Sequence, residues 1–114
     1  MKGRNKKMDT KTVLITGASS DIGQAVAISL ASNGFNIAAQ YCSNLAAVQV
    51  IEEEAQKWGV QSGLFCYDLV HPRQAKEVVD AVMKQFKSID VLILLSAHLK
   101  TVIIEFKSNQ FPNC

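Results

Sequence analysis

A short β-branched run, Thr12-Val13-Leu14-Ile15, breaks at Thr16-Gly17 into a Gly/Ser-rich turn and resumes at once as a helical pattern. No other feature constrains the chain as much. A run apolar on both faces fits a parallel strand buried between layers. Ile22, Ala25, Val26, Ser29 and Leu30 then recur at helical spacing and define the expected inner face of a first helix. A strand joined so tightly to a helix N-terminus aims free backbone N–H groups, and the positive end of the helix dipole, at one point. A phosphate suits that point. Gly17 permits the turn, and Gly23 lets the helix approach the strand closely.

The two glycines alone fall short of the Gly-x-Gly-x-x-Gly dinucleotide fingerprint. The full string Thr16-Gly17-Ala18-Ser19-Ser20-Asp21-Ile22-Gly23 says more. It resembles the cofactor loop of the short-chain dehydrogenase/reductases, Thr-Gly-x-x-x-Gly-x-Gly, and most of all that of their 3-oxoacyl-carrier-protein reductase branch. The resemblance implies a nicotinamide dinucleotide held by Gly17, Ser19, Ser20, Asp21, Ile22 and Gly23. Asp21 stands where the family has its middle glycine, near the pyrophosphate. Two like charges ~4 Å apart repel by about 1 kcal/mol in water and about 4 kcal/mol in a partly shielded site. An N-capping Asp turns its carboxylate onto the backbone N–H groups that follow. That is the role expected of Asp21.

The rest of the chain alternates in the same way. Asn33-Gly34 ends the first helix, and Phe35 to Tyr41 reads as a second strand. Ser43-Asn44 caps a second helix whose apolar face is Leu45, Val48, Ile51, Ala55 and Trp58. Glu52, Glu53 and Glu54 form its solvated side. Gln61 to Leu69 holds a third strand, and Pro72 opens a third helix with a stripe of Ala75, Val78, Val79, Val82 and Phe86. Ile89 to Leu95 is a fourth strand, apolar on both faces and expected to be buried on both. The predicted fold is α/β: a Rossmann-like doubly wound parallel sheet, truncated, with about four strands and three helices. Thr101 to Phe106 offers an additional edge strand after a turn at His98-Leu99-Lys100.

Two more places match the family. NAD-binding folds usually end the second strand with an acid that accepts from the ribose 2′-OH. Here Gln40-Tyr41-Cys42-Ser43-Asn44 contains none, and Ser43 and Asn44 can donate to a 2′-phosphate. The expected cofactor is therefore NADP, with NAD the lesser candidate. Asp68-Leu69 resembles the family's Asp-(Val/Leu/Met) pair beside the adenine ring.

The resemblance runs from about Met8 to Ile93 and then fails abruptly. Leu94-Leu95-Ser96-Ala97-His98 then stands where the family has Asn-Asn-Ala-Gly. The family's catalytic Tyr-x-x-x-Lys is also missing, since Tyr41 is followed at that spacing by Leu45 and Tyr67 by His71. No residue is assigned a catalytic role. Three segments result: a basic, disordered extension at 1–7, a nucleotide-binding half-domain at 8–93, and a divergent tail at 94–114. The tail reads either as an edge strand or as what a frameshift or premature stop leaves behind. The implied activity is that of an NAD(P)-dependent carbonyl/alcohol oxidoreductase, present as its cofactor-binding part. A noncatalytic module that binds or senses NADP(H) is the alternative. A small carbonyl or acyl-carrier substrate belongs only to an intact parent enzyme.

Bulk properties narrow the remaining classes. A chain of 114 residues makes one domain at most. Five cations against one acid in the first eleven residues read as a solvated tail, not a nucleic-acid or lipid contact. Cys42, Cys66 and Cys114 show no C-x-x-C spacing, and His71 and His98 are isolated, so neither a disulfide framework nor a metal site is expected. No apolar stretch follows the basic start, and Val91 to Leu95 is too short to span a bilayer. The expected location is the cytoplasm.

Overall fold

A computed structural model describes residues 10–95 and the backbone of Val102–Glu105. Its elements are β1 (Thr12–Ile15), α1 (Asp21–Ser32), β2 (Asn36–Tyr41), α2 (Leu45–Trp58), β3 (Ser62–Cys66), α3 (Pro72–Phe86), β4 (Val91–Leu94) and β5 (Val102–Glu105). The sheet order is β3-β2-β1-β4-β5. The first four strands are parallel, with Val13 level with Ile37 on one side and Val91 on the other. The expected Rossmann-like sheet is therefore present. β5 joins antiparallel to β4, within the span foreseen for an edge strand. The chain builds outward from β1 first to one side and then to the other, which opens a crevice at the strands' C-terminal ends beside β1. The basic segment at 1–7 and the turn at His98–Lys100 lie outside the described residues.

Strand alternation sorts the apolar side chains into two layers. Val13, Ile15, Ile37, Ala39 and Ile93 meet Ala27 and Ala31 of α1 and Val48 and Ile51 of α2 on one face. Leu14, Ala38 and Phe65 meet Val78, Val82 and Phe86 of α3 on the other. The strands are shorter than the apolar runs suggest. β3 stops at Cys66, so Asp68 and Leu69 sit in the following loop and do not end the strand.

Three expected faces need correction. The buried residues of α1 are Gly23, Ala27 and Ala31, while Ile22, Ala25 and Ser29 are exposed. A helix this close to its sheet seats its smallest residues at the centre of the contact; Val26 and Leu30 of the expected stripe still pack half-buried at its margin. In α2, Val48, Ile51 and Ala55 are buried, but Leu45 and Trp58, at its two ends, are exposed. In β4 only Ile93 is buried, because no described helix makes its main contact with that strand.

The ends of the helices follow capping chemistry. Pro72 opens α3 as expected. Lys87 closes it in the left-handed region, at φ 74°, where a Cβ is a burden. Lys87→Gly is expected to stabilise the chain by about 0.5–1 kcal/mol. Urea unfolding monitored by circular dichroism reads this as a higher midpoint at unchanged slope.

Candidate functional site

The turn after β1 is built by glycine and serine. Gly17 has φ +69°, and a Cβ there would lie 2.9 Å from the Leu95 carbonyl oxygen. The adjoining Thr16 N–H donates to the Ile93 carbonyl at 2.9 Å, and the Thr16 hydroxyl accepts from the Leu95 N–H at 3.1 Å. These bonds clamp β1 to the end of β4.

Ser20, not Asp21, caps α1, which corrects the capping expectation. The Ser20 Oγ accepts from the Gly23 N–H at 3.0 Å and donates to the Gly17 carbonyl at 3.0 Å. Asp21 is thereby displaced to the first helical position, exposed at the positive end of the dipole. Both residue types are good caps; the hydroxyl wins because it can also donate to the carbonyl of the turn. Gly23 brings α1 against that turn. A Cβ on it would stand 2.5 Å from the Gly17 carbonyl oxygen and 2.8 Å from the Ala18 Cα. Among the described residues, no hydrogen bond uses the N–H groups of Ser19, Asp21 or Ile22. A helix start with such groups free is suited to an anion.

Two further loops flank the turn. At the end of β2, Ser43 and Asn44 are exposed, and Asn44 caps α2 from a left-handed backbone, its Oδ1 accepting from the Ala47 N–H at 3.3 Å. Tyr41 ends β2, and the stretch from Gln40 to Asn44 contains no acid. Desolvation, then the adjacent Cys66, push the Tyr41 hydroxyl above the usual tyrosine value. Beyond β3, the Asp68 carboxylate accepts from the Val70 N–H at 3.1 Å and stands 3.7 Å from His71. The Asp68 N–H donates to Gln74 Oε1 at 2.7 Å, which fixes the loop to α3. Leu69 beside it is half-buried.

The sheet thus gathers all three predicted clusters at the C-terminal ends of β1, β2 and β3. Ala18 N–H bonds the Gln40 carbonyl at 2.9 Å, and Tyr67 N–H bonds the Tyr41 carbonyl at 3.0 Å. One contributor was not foreseen. Gln40 is only 4 % exposed, and its side chain bonds both the first turn and the third loop. The sequence signal was a single amide closing the apolar run Ile37-Ala38-Ala39. Among the described residues no group of three His, Cys, Asp or Glu could hold a metal ion, and no helix is long and apolar enough to cross a membrane.

Comparison with known proteins decides the lineage. The profile of the family described as short chain dehydrogenase matches residues 11–114. The chain belongs to the short-chain dehydrogenase family. The match continues past Ile93, through the segment that lacks the Asn-Asn-Ala-Gly motif. The chain is 35% identical over 83 residues to the 3-oxoacyl-(acyl-carrier-protein) reductase FabG of Staphylococcus epidermidis, covering 73% of this chain and 34% of that protein. It resembles the structure of an NAD+-bound xylitol dehydrogenase with TM-score 0.68 and 33% identity, over 76% of this chain and 33% of the other. A dehydrogenase from Burkholderia cenocepacia with bound NADP gives TM-score 0.71 and 26% identity, over 75% and 33%. The chain spans about a third of the length of the curated relatives it matches.

Proposed function

We propose that this chain is the nucleotide-binding part of an NADP(H)-dependent carbonyl/alcohol oxidoreductase, and that by itself it binds the dinucleotide without turning it over. The observation that carries the reading is the turn from Gly17 to Gly23, where the N–H groups of Ser19, Asp21 and Ile22 make no hydrogen bond among the described residues, at a helix start packed too closely for any side chain at position 23. Gly17, Ser19, Ser20, Ile22 and Gly23 would hold the pyrophosphate, Ser43 and Asn44 the 2′-phosphate, and Asp68 and Leu69 the adenine. The absence of an acid from Gln40 to Asn44, where Ser43 and Asn44 can donate to a 2′-phosphate, favours NADP over NAD. The nicotinamide supplies a hydride when bound. Leu94-Leu95 stands at the position of the family's Asn pair, and neither tyrosine of the chain is followed by a Lys at the family's spacing, so no residue is assigned to deliver the accompanying proton.

On this reading residues 8–93 form the binding unit, 94–114 a divergent tail, and 1–7 a solvated extension, in a cytoplasmic protein whose partner is the dinucleotide and neither nucleic acid nor a membrane. A small carbonyl or acyl-carrier substrate belongs to a complete enzyme of this lineage. Calorimetric titration of the full chain tests it. NADP is expected to bind at micromolar to millimolar dissociation constant and more tightly than NAD. Heat-free injections, or turnover of a 3-oxoacyl substrate by the chain alone, would overturn it.

Asp21 provides a second check. Its carboxylate is exposed beside the open N–H groups of α1 and carries no capping bond. Asp21→Asn keeps the shape and removes a charge of the same sign as the pyrophosphate. Binding should tighten about fivefold, from repulsion of about 1 kcal/mol at a solvated site. Stability should fall by about 0.5 kcal/mol, because a negative charge at a helix N-terminus is favourable. The affinity gain should shrink in 0.5 M salt.

A further inference from the structure

We infer that Gln40 is the positioning residue that couples the phosphate-binding turn to the adenine-side loop, so that both halves of the nucleotide meet a preset site; this rests on the nucleotide-binding reading above. Gln40 is the penultimate residue of β2, which lies between β1 and β3. Its side-chain oxygen accepts from the Gly17 N–H at 2.8 Å, and its side-chain nitrogen donates to the Tyr67 carbonyl at 2.6 Å. Its backbone carbonyl accepts from Ala18 N–H at 2.9 Å. One residue therefore holds two successive amides of the turn and the residue just before Asp68.

The chemistry demands an amide. The Gly17 N–H needs an acceptor and the Tyr67 carbonyl needs a donor, on opposite ends of one planar group. A leucine satisfies neither, and leaving buried partners unpaired carries the full cost of their desolvation. An ionised glutamate accepts from Gly17 but sets a charge against the Tyr67 carbonyl. A protonated glutamic acid does both jobs, donating through its hydroxyl and accepting through its carbonyl. At 4 % exposure, desolvation pushes such a carboxyl up from its ordinary range, against the opposing pull of the Gly17 N–H.

Gln40→Glu in the full chain separates positioning from simple packing. NADP binding is measured by calorimetry from pH 8 to pH 5.5, each value taken relative to wild type. The ratio removes what Asp21, Asp68, His71, Tyr41, Tyr67 and the 2′-phosphate contribute to the profile. The variant is expected to bind about tenfold or more weakly at pH 8, with the deficit closing to within about threefold at pH 5.5. Gln40→Leu should bind about tenfold more weakly at every pH, with faster exchange of the Gly17 amide.

A Gln40→Glu ratio that is flat with pH, or a variant that stays unable to bind at pH 5.5, overturns the proposal even if Gln40→Leu fails to fold. Absence of NADP binding by wild type removes instead the reading of the site. The Gly17 amide shift and exchange rate in Gln40→Glu, which need no nucleotide, then test the tether: tracking the carboxyl titration supports it, and indifference to pH overturns it.

Discussion

Gly23→Ala is expected to destabilise the chain by about 3 kcal/mol or more and to remove measurable NADP binding. The direction is opposite to what helix propensity predicts, since alanine in a helix interior is favoured over glycine by about 1 kcal/mol. What reverses it is contact with backbone. The added methyl would sit 2.5 Å from the Gly17 carbonyl oxygen, 2.8 Å from the Ala18 Cα and 3.0 Å from the Ala18 carbonyl carbon. None of these can rotate away as a side chain would, so α1 must retreat or the turn must deform. Retreat opens a gap behind Ala27 and Ala31, which are fully buried against the sheet. Deformation breaks the Ser20 cap on the Gly23 N–H and shifts the unbonded amides of Asp21 and Ile22. In a chain of this size a loss of 3 kcal/mol lowers the melting midpoint by roughly 12 °C or more. Thermal unfolding and an NADP titration on the same preparation check both halves. An unchanged midpoint would mean that α1 sits further from β1 than described.

The turn was legible because its chemistry is local. A strand, a residue that tolerates positive φ and a helix start lie within a dozen positions, and Gly17 fills the demanding one. The parallel sheet was legible for the same kind of reason, through alternation of short apolar runs with helical stripes. The inner face of α1 was not. Hydrophobic patterning weights large side chains, whereas close approach selects Gly23, Ala27 and Ala31, whose smallness carries no such weight. The cap was ambiguous because Ser20 and Asp21 are adjacent and equally good in isolation. Only the Gly17 carbonyl, held by the fold within 3.0 Å of the Ser20 hydroxyl, distinguishes them. Gln40 escaped altogether, since its partners lie 23 and 27 positions away. Long-range polar pairing leaves no period in a sequence.

Phe86→Ala tests whether the second layer of the fold supports the site from behind. Phe86 is on the last turn of α3 and packs against Phe65 of β3, with ring centroids 6.4 Å apart and planes tilted by 54°. Together with Val78, Val82 and Ile89 it makes up much of the core on this face. Truncating it is expected to cost about 3–4 kcal/mol, from lost burial, the residual cavity and the lost aromatic contact. Phe86→Leu retains most of the volume and should cost about 1–1.5 kcal/mol. The effect should reach the opposite end of the helix. Gln74, on the first turn of α3, accepts from the Asp68 N–H and so fixes the loop after β3, where the proposed adenine contacts lie. If Phe86 anchors α3 as one rigid unit, its loss raises the exchange rate of the Asp68 amide and weakens NADP binding, while the turn at Gly17, packed on the other face, keeps its protection. Hydrogen exchange resolved at these two amides, with urea unfolding for the stability change, measures that difference. Equal loss of protection at both would mean that the two layers open as one cooperative unit, and that the adenine loop owes no separate order to α3.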